Sequence, residues 1–158
     1  MGRLKDLRKI VDAKLMTMED SDKRNSAIVH LYGVSLAAAL IAEKRGLDSE
    51  LCCMAAMLHD IAAYMNGSYE DHAHKGAAMA EEILKELGQT SDEETKLICS
   101  MIYHHDDKYD TDSEYDEVLK DADVIHHCFN DLSKAVKEKE QKRFDSLVSE
   151  FGLTGLMK

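Results

Sequence analysis

The sequence has no proline and only eight glycines among its 158 residues, so the two residue types that most often interrupt regular structure are scarce. Long helices joined by short turns are therefore expected. Alanine, leucine, glutamate, lysine and methionine are abundant, and all are good helix formers. The alternation of apolar and polar residues that is typical of strands is absent. The composition predicts an all-α fold, a compact bundle of about six or seven helices.

The sequence also lacks obvious targeting signals. No window approaches the roughly 20 apolar residues that a membrane helix requires. The N-terminal stretch MGRLKDLRKIVDAKL is charged throughout and does not contain the apolar segment of a signal peptide. Asp6 stands where the N-myristoylation pattern requires serine or threonine. We expect a cytoplasmic protein without a membrane partner.

Positive charge is in deficit. Lysine and arginine number 20 against 31 aspartates and glutamates, which gives a formal net charge of −11. An acidic surface repels the phosphate backbone, so a nucleic acid polymer is not an expected partner. A small phosphorylated substrate remains compatible with this charge, because bound divalent cations reverse the sign of the local field.

Cysteine is present in small number and without metal-binding spacing. The four cysteines occur singly or as neighbours in apolar stretches, and no CxxC is present. They are interpreted as reduced thiols of the core, consistent with a cytosolic protein.

No repeat, low-complexity linker or break in composition divides the chain. One domain over residues 1–158 is expected, with its motifs in a core of about 26–130 and a C-terminal capping helix in 131–158. Gly46 and Gly88 are typical helix stops, and Ser91 with Glu94 forms a capping-box pattern. The predicted helices are 4–17, 26–45, about 49–65, 72–87, 95–105, 114–132 and roughly 133–150.

Three polar positions interrupt the apolar faces of these helices. His30 shares a face with Val34 and Ile41, and the pair His59–Asp60 ends an apolar run. Asp123 lies on the same stripe as apolar neighbours in its own helix. A lone histidine there would be a hydrogen-bonded core residue, and one buried aspartate could be compensated by a helix end. Two buried carboxylates with two histidines, however, require a common positive partner. A divalent ion such as Mn, Fe, Ni or Zn satisfies this requirement.

The order His30, His59–Asp60, Asp123 resembles the pattern that gives the HD-domain superfamily its name. The likeness extends over residues 26–130 and includes the small apolar residues before LHDI and the apolar residue after DAD. Asp123, which follows the alanine, matches the family's ligand position, whereas Asp121 does not. Members of this family are all-α, metal-dependent phosphohydrolases, so the resemblance implies that fold, activity and cofactor.

The resemblance also implies further ligands between the HD pair and the last aspartate. His72 matches by its distance to Gly76 in HAHKGA, and His104 matches in MIYHH. His74 and His105 are the alternatives for these two positions. With the four motif residues, His72 and His104 would hold two divalent transition-metal ions, iron or manganese before Ni, Co, Zn or Mg, with Asp60 as the bridging carboxylate. A single-metal site remains the alternative.

The chain departs from the family after the HD pair. The common HDIGK form reads HDIAA here, so Ala63 replaces a lysine that meets substrate phosphate in relatives. Lys75 or His105 would then supply the phosphate contact or stabilise the leaving oxygen. The Gly-Tyr-Pro of cyclic-di-GMP hydrolases does not follow His105, which disfavours that activity.

The function implied by the resemblance is hydrolysis of a small phosphoester, such as a nucleotide or dinucleoside polyphosphate, by attack of metal-bound hydroxide. Two alternatives stay open. A di-iron HD-type oxygenase would cleave C–C or C–P bonds with O₂, and a non-catalytic HD module would bind metal or nucleotide as a sensor. The sequence also leaves open whether the chain forms a homodimer.

Overall fold

The computed structural model describes residues 2–153 and 155, and over that part of the chain it is helical without strands. This confirms the all-α prediction. A six-residue helix raises the number of helices to eight. They are α1 (Arg3–Leu15), α2 (Ser21–Arg45), α3 (Ser49–Leu58), α4 (Ile61–Asn66), α5 (His72–Leu87), α6 (Asp92–His104), α7 (Glu114–Phe129) and α8 (Glu138–Glu150).

Helix α2 is the central element, and it packs against α3 and α7. It begins five residues earlier than the apolar pattern predicts, because the Asp20 side chain accepts hydrogen bonds from the backbone N–H groups of Asp22 and Lys23, both at 3.0 Å. Its end at Gly46, with φ of 70°, is the left-handed stop expected from the sequence. A buried face rich in small residues, including Ala38 and Ala42, lets α3 and α7 approach closely.

By length and composition alone, α2 could cross a membrane, because an 18-residue window within it has a mean hydropathy of 1.5. The expectation that no window approaches a membrane helix was therefore wrong for this helix. In the structure α2 contributes nine buried residues to the bundle, among them His30 and Ser35. An apolar core helix meets the same length and composition criteria as a membrane span.

The predicted helix over residues 49–65 is interrupted at the HD pair. Helix α3 ends at Leu58, and Asp60 has φ of −107° and ψ of 6°, outside the helical region, before α4 begins at Ile61. In an unbroken helix, successive side chains diverge by about 100°. The break lets His59 and Asp60 both face the interior, where they are 0% and 6% exposed.

The C-terminal region differs from the predicted capping helix. Helix α7 ends at Phe129, residues 131–137 are irregular, and α8 begins only at Glu138. Phe144, Leu147 and Val148 face inward, as an amphipathic cap requires. Glu140 is buried on the same face, at 1% exposure, so α8 also carries a charged group into the interior. Residues of the segment 131–140 line a cavity, so this part of the chain is not only a solvated cap.

Helices α6 and α7 both begin with a capping box. Ser91 and Glu94 form the predicted capping box at α6, with the Glu94 N–H donating to Ser91 Oγ at 3.2 Å. An equivalent box between Ser113 and Asp116 starts α7. These local bonds fix where α6 and α7 begin.

Candidate metal centre

A cluster of imidazoles and carboxylates lies at the base of a cavity of about 830 Å³. α2 and α7 supply one side of the cluster, the break between α3 and α4 supplies its middle, and the start of α5 with the end of α6 supplies the other side. The side chains that converge there are His30, His59, Asp60, His72, His105, Asp123 and His127.

Asp60 occupies the middle of the cluster, with one carboxylate oxygen directed to each side. Its Oδ2 lies 3.3 Å from Nε2 of His30 and 3.5 Å from Nε2 of His59. Its Oδ1 lies 3.4 Å from Nε2 of His72 and 3.3 Å from Nε2 of His105. The Asp60 carboxylate therefore offers one oxygen to each of two histidine pairs.

Backbone contacts orient three of these imidazoles in the same way. The Nδ1 atoms of His59, His72 and His105 lie 2.8, 2.9 and 2.6 Å from the carbonyl oxygens of the residues three positions earlier. A carbonyl only accepts, so each contact assigns the proton to Nδ1. Each neutral ring then presents the lone pair of Nε2 to the cluster, which is the state required of a metal ligand.

The Nε2 atoms approach one another closely. His72 and His105 are separated by 3.2 Å and His30 and His59 by 3.0 Å between these atoms. Because the Nδ1 protons of His72 and His105 are already donated to carbonyls, their neutral rings would bring two lone pairs face to face. Such contacts are favourable only with a cation or an added proton between the nitrogens.

Two buried carboxylate oxygens give an independent test of whether a metal fits. Asp60 Oδ1 and Asp123 Oδ1 are buried, and within the described residues neither has a hydrogen-bond partner of acceptable geometry. Unsatisfied buried carboxylate oxygens are costly and rare. Imidazole nitrogens with carboxylate oxygens form a usual donor set for Fe, Mn, Ni or Zn. The residues therefore fit a divalent transition metal, and sets of three groups on each side of Asp60 could hold one.

The imidazoles and carboxylates of the cluster shift one another's pKa values. Burial would raise the pKa of Asp60, but the neighbouring imidazoles of His59, His105 and His30 outweigh it and hold this pKa well below its usual range. Burial would lower the pKa of His59, but the carboxylates of Asp60 and Asp123 raise it to about 8. The carboxylates of Asp60 and Asp123 therefore stay ionised, and their negative charge favours a bound cation.

Lys108 fixes the orientation of Asp123. Its Nζ is buried and donates to Asp123 Oδ2 at 2.7 Å and to the carbonyl oxygen of His105 at 2.6 Å. The other carboxylate oxygen of Asp123, Oδ1, lies 3.4 Å from His30 and 3.8 Å from His59. Lys108 therefore ties together the two sides of the cluster and leaves Oδ1 facing its centre.

Two glycines allow helices to approach the cluster. A Cβ on Gly76 would lie 3.0 Å from the carbonyl oxygen of His59, so the absence of a side chain here lets α5 pack closely against the helix break. A Cβ on Gly33 would overlap the ring of His126, whose Nδ1 lies 3.0 Å from Nδ1 of His30. The close approach of α7 to α2 thus sets the position of His30.

Several predicted residues lie elsewhere. The structure places His105 in the cluster at 1% exposure, whereas His104 turns outward, with its Nδ1 3.6 Å from Asp112. His104 and His105 project about 100° apart around the end of α6, so only one of them can face the cluster. The structure therefore brings His105, the stated alternative, into the cluster and leaves the predicted His104 outside it.

Lys75 and His74 also lie outside the cluster. The Nζ of Lys75 is exposed and donates to the carbonyl oxygen of Glu70 at 2.9 Å. The ring of His74 stacks on Tyr103 and pairs with Asp71. Both residues project from the outer face of α5, so neither contacts the cavity, and the expected phosphate contact from Lys75 is corrected. His72, at the start of α5, is the residue of this helix whose side chain reaches the cluster.

Sequence reasoning missed His127, Lys108 and His126. His127 Nε2 lies 3.3 Å from Asp123 Oδ1, and its position four residues after Asp123 on α7 is the signal that could have revealed it. Lys108 stands in the polar stretch 106–113 that was interpreted as a loop, where no periodicity marks it as buried. Nothing in the local sequence separates it from exposed lysines.

Basic and aromatic side chains line the cavity above the cluster. The irregular segment and the first turn of α8 contribute Lys134, Lys137 and Lys139, and Tyr64 and Tyr69 lie on another wall. The volume of about 830 Å³ is within the range of small-molecule sites. Aspartates line the same wall, where Lys134 pairs with Asp131 at 3.5 Å and Lys139 pairs with Asp106 at 2.8 Å.

Comparison with known proteins agrees with this geometry. The family model of the HD domain matches residues 27–127. A protein of Bacillus subtilis (strain 168) with the name "Putative phosphohydrolase YueE" is 26% identical over 149 residues, which cover 80% of this chain and 84% of that protein. Ribonuclease Y of Cutibacterium acnes (strain DSM 16379 / KPA171202) is 28% identical over 118 residues, or 75% of this chain but only 20% of the ribonuclease.

The fold is also similar to a crystal structure described as a predicted HD superfamily hydrolase from an uncultured Thermotogales bacterium. The TM-score is 0.63 at 24% sequence identity, over 96% of this chain and 90% of the other. The motif residues, their convergence in the structure and the match over most of the chain agree: the chain belongs to the HD-domain family.

Proposed function

We propose that this protein is a metal-dependent phosphohydrolase that acts on a small phosphorylated substrate, such as a nucleotide or dinucleoside polyphosphate. The observation that carries the proposal is the Asp60 carboxylate, which directs one oxygen to the His30–His59 pair and the other to the His72–His105 pair. The phosphohydrolase name of the Bacillus subtilis relative supports the same reaction class.

Two ions fit the donor set best. His30, His59, Asp60 and Asp123 would hold one, and Asp60, His72 and His105 would hold the other. We propose iron or manganese, because mixed imidazole and carboxylate sites suit these metals. Divalent ions in such a site polarise phosphoryl oxygens and lower the pKa of water toward about 7.

The protein's own groups complete the site. The carbonyl oxygens behind His59, His72 and His105 fix the imidazole orientation before substrate arrives, so these side chains need no rearrangement. Lys137 and Lys139 on the cavity wall would attract substrate phosphate in place of the lysine that Ala63 replaces. Lys139 also pairs with Asp106 Oδ1, at 2.8 Å from its Nζ, so a phosphate would share this lysine with that carboxylate.

A small substrate suits both the cavity and the charge. The cavity lies within one chain, and the net charge of −11 opposes binding of a nucleic acid polymer. We propose a cytoplasmic protein without a membrane partner, since α2, which is long and apolar enough to span a membrane, contributes nine buried residues to the core. A homodimer is compatible with this proposal.

The test is reconstitution under anaerobic conditions with Fe(II) or Mn(II), followed by measurement of phosphate release. The substrates are nucleotides, dinucleoside polyphosphates, sugar phosphates and a short oligoribonucleotide. We expect turnover of a small phosphoester by the wild type, with loss to background in His59→Ala and Asp60→Ala. His74→Ala is the matched control, because it removes an imidazole outside the cluster, and it should retain activity.

Other outcomes would overturn the proposal. Hydrolysis of the oligoribonucleotide alone would replace the small substrate with a polymer. Uptake of O₂ by the iron-loaded protein, with a visible absorption band and no phosphate release, would favour the di-iron oxygenase. Metal binding with neither reaction, over the whole substrate panel, would favour a binding module.

A further inference from the structure

The metal centre includes a histidine that the HD pattern does not contain. His127 follows Asp123 by one helical turn on α7, and its Nε2 lies 3.3 Å from Asp123 Oδ1. This is the oxygen that has no hydrogen-bond partner among the described residues. His30 faces the same oxygen at 3.4 Å, and the rings of His30 and His127 are nearly parallel, with an interplanar angle of 15°.

A buried carboxylate orients His127 from behind. Glu140 Oε1 accepts a hydrogen bond from Nδ1 of His127 at 2.7 Å. This pairing assigns the ring proton to Nδ1 and leaves the Nε2 lone pair facing the carboxylate oxygen of Asp123. Two lone pairs facing each other at this distance favour a cation between them, as in the other pairs of the cluster.

The position of Glu140 on α8 supports a specific role. It lies on the inward face with Phe144 and Leu147, where an apolar residue would pack without penalty. A buried carboxylate is costly unless it is paired or hydrogen-bonded. Its described partner is His127, at the mouth of the cluster. A carboxylate behind an imidazole is the usual means by which proteins orient a metal-binding histidine.

We propose that His127 is a further metal ligand, with Asp123 and His30, and that Glu140 is its positioning residue. The ligand set of the centre then extends beyond the family pattern and draws on α8, the last helix of the chain. Loading of metal at this position therefore also holds α8 against α7. This inference rests on the metal centre of the proposed function but not on the identity of the substrate.

The test measures metal binding directly. The apoprotein is titrated with Co(II), whose visible absorption reports coordination, and the affinity is compared between the wild type, His127→Ala and Glu140→Gln. We expect both variants to lose about 10- to 100-fold in affinity, with weaker or shifted absorption bands in His127→Ala. The controls are His104→Ala, which removes an imidazole outside the cluster, and Glu138→Gln, which neutralises an exposed carboxylate on the same helix.

Folding is checked separately. The circular dichroism of each metal-free variant is compared with that of the wild type, and imidazole is added to His127→Ala to restore the missing ligand. Recovery of the Co(II) spectrum by imidazole supports a ligand role even if the variant is destabilised. Wild-type affinity and spectrum in His127→Ala would overturn the inference, and so would a spectrum that imidazole leaves unchanged.

The outcomes separate this inference from the proposed function. A wild type that binds Co(II) through His127 but releases no phosphate would contradict the phosphohydrolase and leave the ligand assignment standing. Phosphate release that depends on His59 but not on His127, with unaltered Co(II) binding in His127→Ala, would contradict the ligand assignment alone. Failure of the wild type to bind any transition metal would overturn both.

Discussion

His104 and His105 are neighbours in the chain but face different environments. Nε2 of His105 lies 3.3 Å from Asp60 Oδ1 in the interior, whereas Nδ1 of His104 lies 3.6 Å from Asp112 at the surface. Because α6 ends between them, its last turn directs only the second imidazole into the cluster.

This difference predicts a matched pair of variants. His105→Ala removes a ligand of the second ion and should lower the number of bound metal ions and abolish phosphate release. His104→Ala removes the same side chain at an adjacent position and should retain both properties. Metal content by elemental analysis, together with the activity assay, checks the prediction. Equal loss in the two variants would contradict the assignment.

Asp121 and Asp123, the two aspartates of DAD, should differ in their effects on stability and on metal binding. Asp121 lies between two arginines, with Nη2 of Arg45 at 2.8 Å and Nη1 of Arg143 at 3.0 Å from its oxygens, and it connects α2, α7 and α8. Asp121→Ala should lower the free energy of unfolding by only about 1 kcal/mol, because Arg45 keeps its pair with Glu150 and Arg143 keeps its pair with Glu117. Bound metal should be unchanged in this variant.

Asp123→Ala should show the opposite pattern, with loss of metal. Removal of this carboxylate also leaves Lys108 buried without its anionic partner. Denaturant unfolding and metal analysis of both variants provide the measurement. Retention of metal by Asp123→Ala would remove Asp123 from the ligand set.

Gly33→Ala should disturb the centre from a distance. The added Cβ would overlap the ring of His126, which contacts His30. Overpacking of this kind costs about 1–3 kcal/mol in unfolding free energy, and we expect a parallel fall in metal affinity. The double variant Gly33→Ala/His126→Ala removes the overlap and should recover part of the stability. Gly155→Ala, with open space around its Cβ, is the control.

The pKa of His59 predicts a dependence on pH. In the metal-free protein this pKa is raised from 6.5 to about 8 by the carboxylates of Asp60 and Asp123, after the opposing effect of burial. The protonated imidazole therefore contributes stability that is fully present below pH 6.5 and is lost as pH rises through 8. The contribution is about 2 kcal/mol.

Metal must displace this proton, so affinity should rise over the same interval, with release of protons on binding. Thermal unfolding of the apoprotein and the metal-loaded protein between pH 6 and 9 tests both statements. The midpoint of the apoprotein should fall with pH while the increase caused by metal grows. A metal-induced increase that does not change with pH would contradict the proposed state of His59.

Much of the fold followed from local features of the sequence. The stop at Gly46, the capping box at Ser91 and the helical stretches between them depend on neighbouring residues, so they were predictable. The break at His59–Asp60 was not, because the apolar pattern continues through it into Ile61 and Ala62. Asp60 leaves the helical region at the point where its carboxylate meets side chains from α2, α5 and the end of α6, which are distant in sequence.

The sequence by itself determined that the chain is helical and that His30, His59, Asp60 and Asp123 belong to one site, since buried charges at those spacings need a common cation. Only the tertiary structure decided which further imidazoles lie beside Asp60 and Asp123. The choice of His105 over His104, and the placement of His127 and Glu140, depend on how each helix is rotated against its neighbours. That rotation follows from packing between helices distant in sequence, which no local pattern encodes.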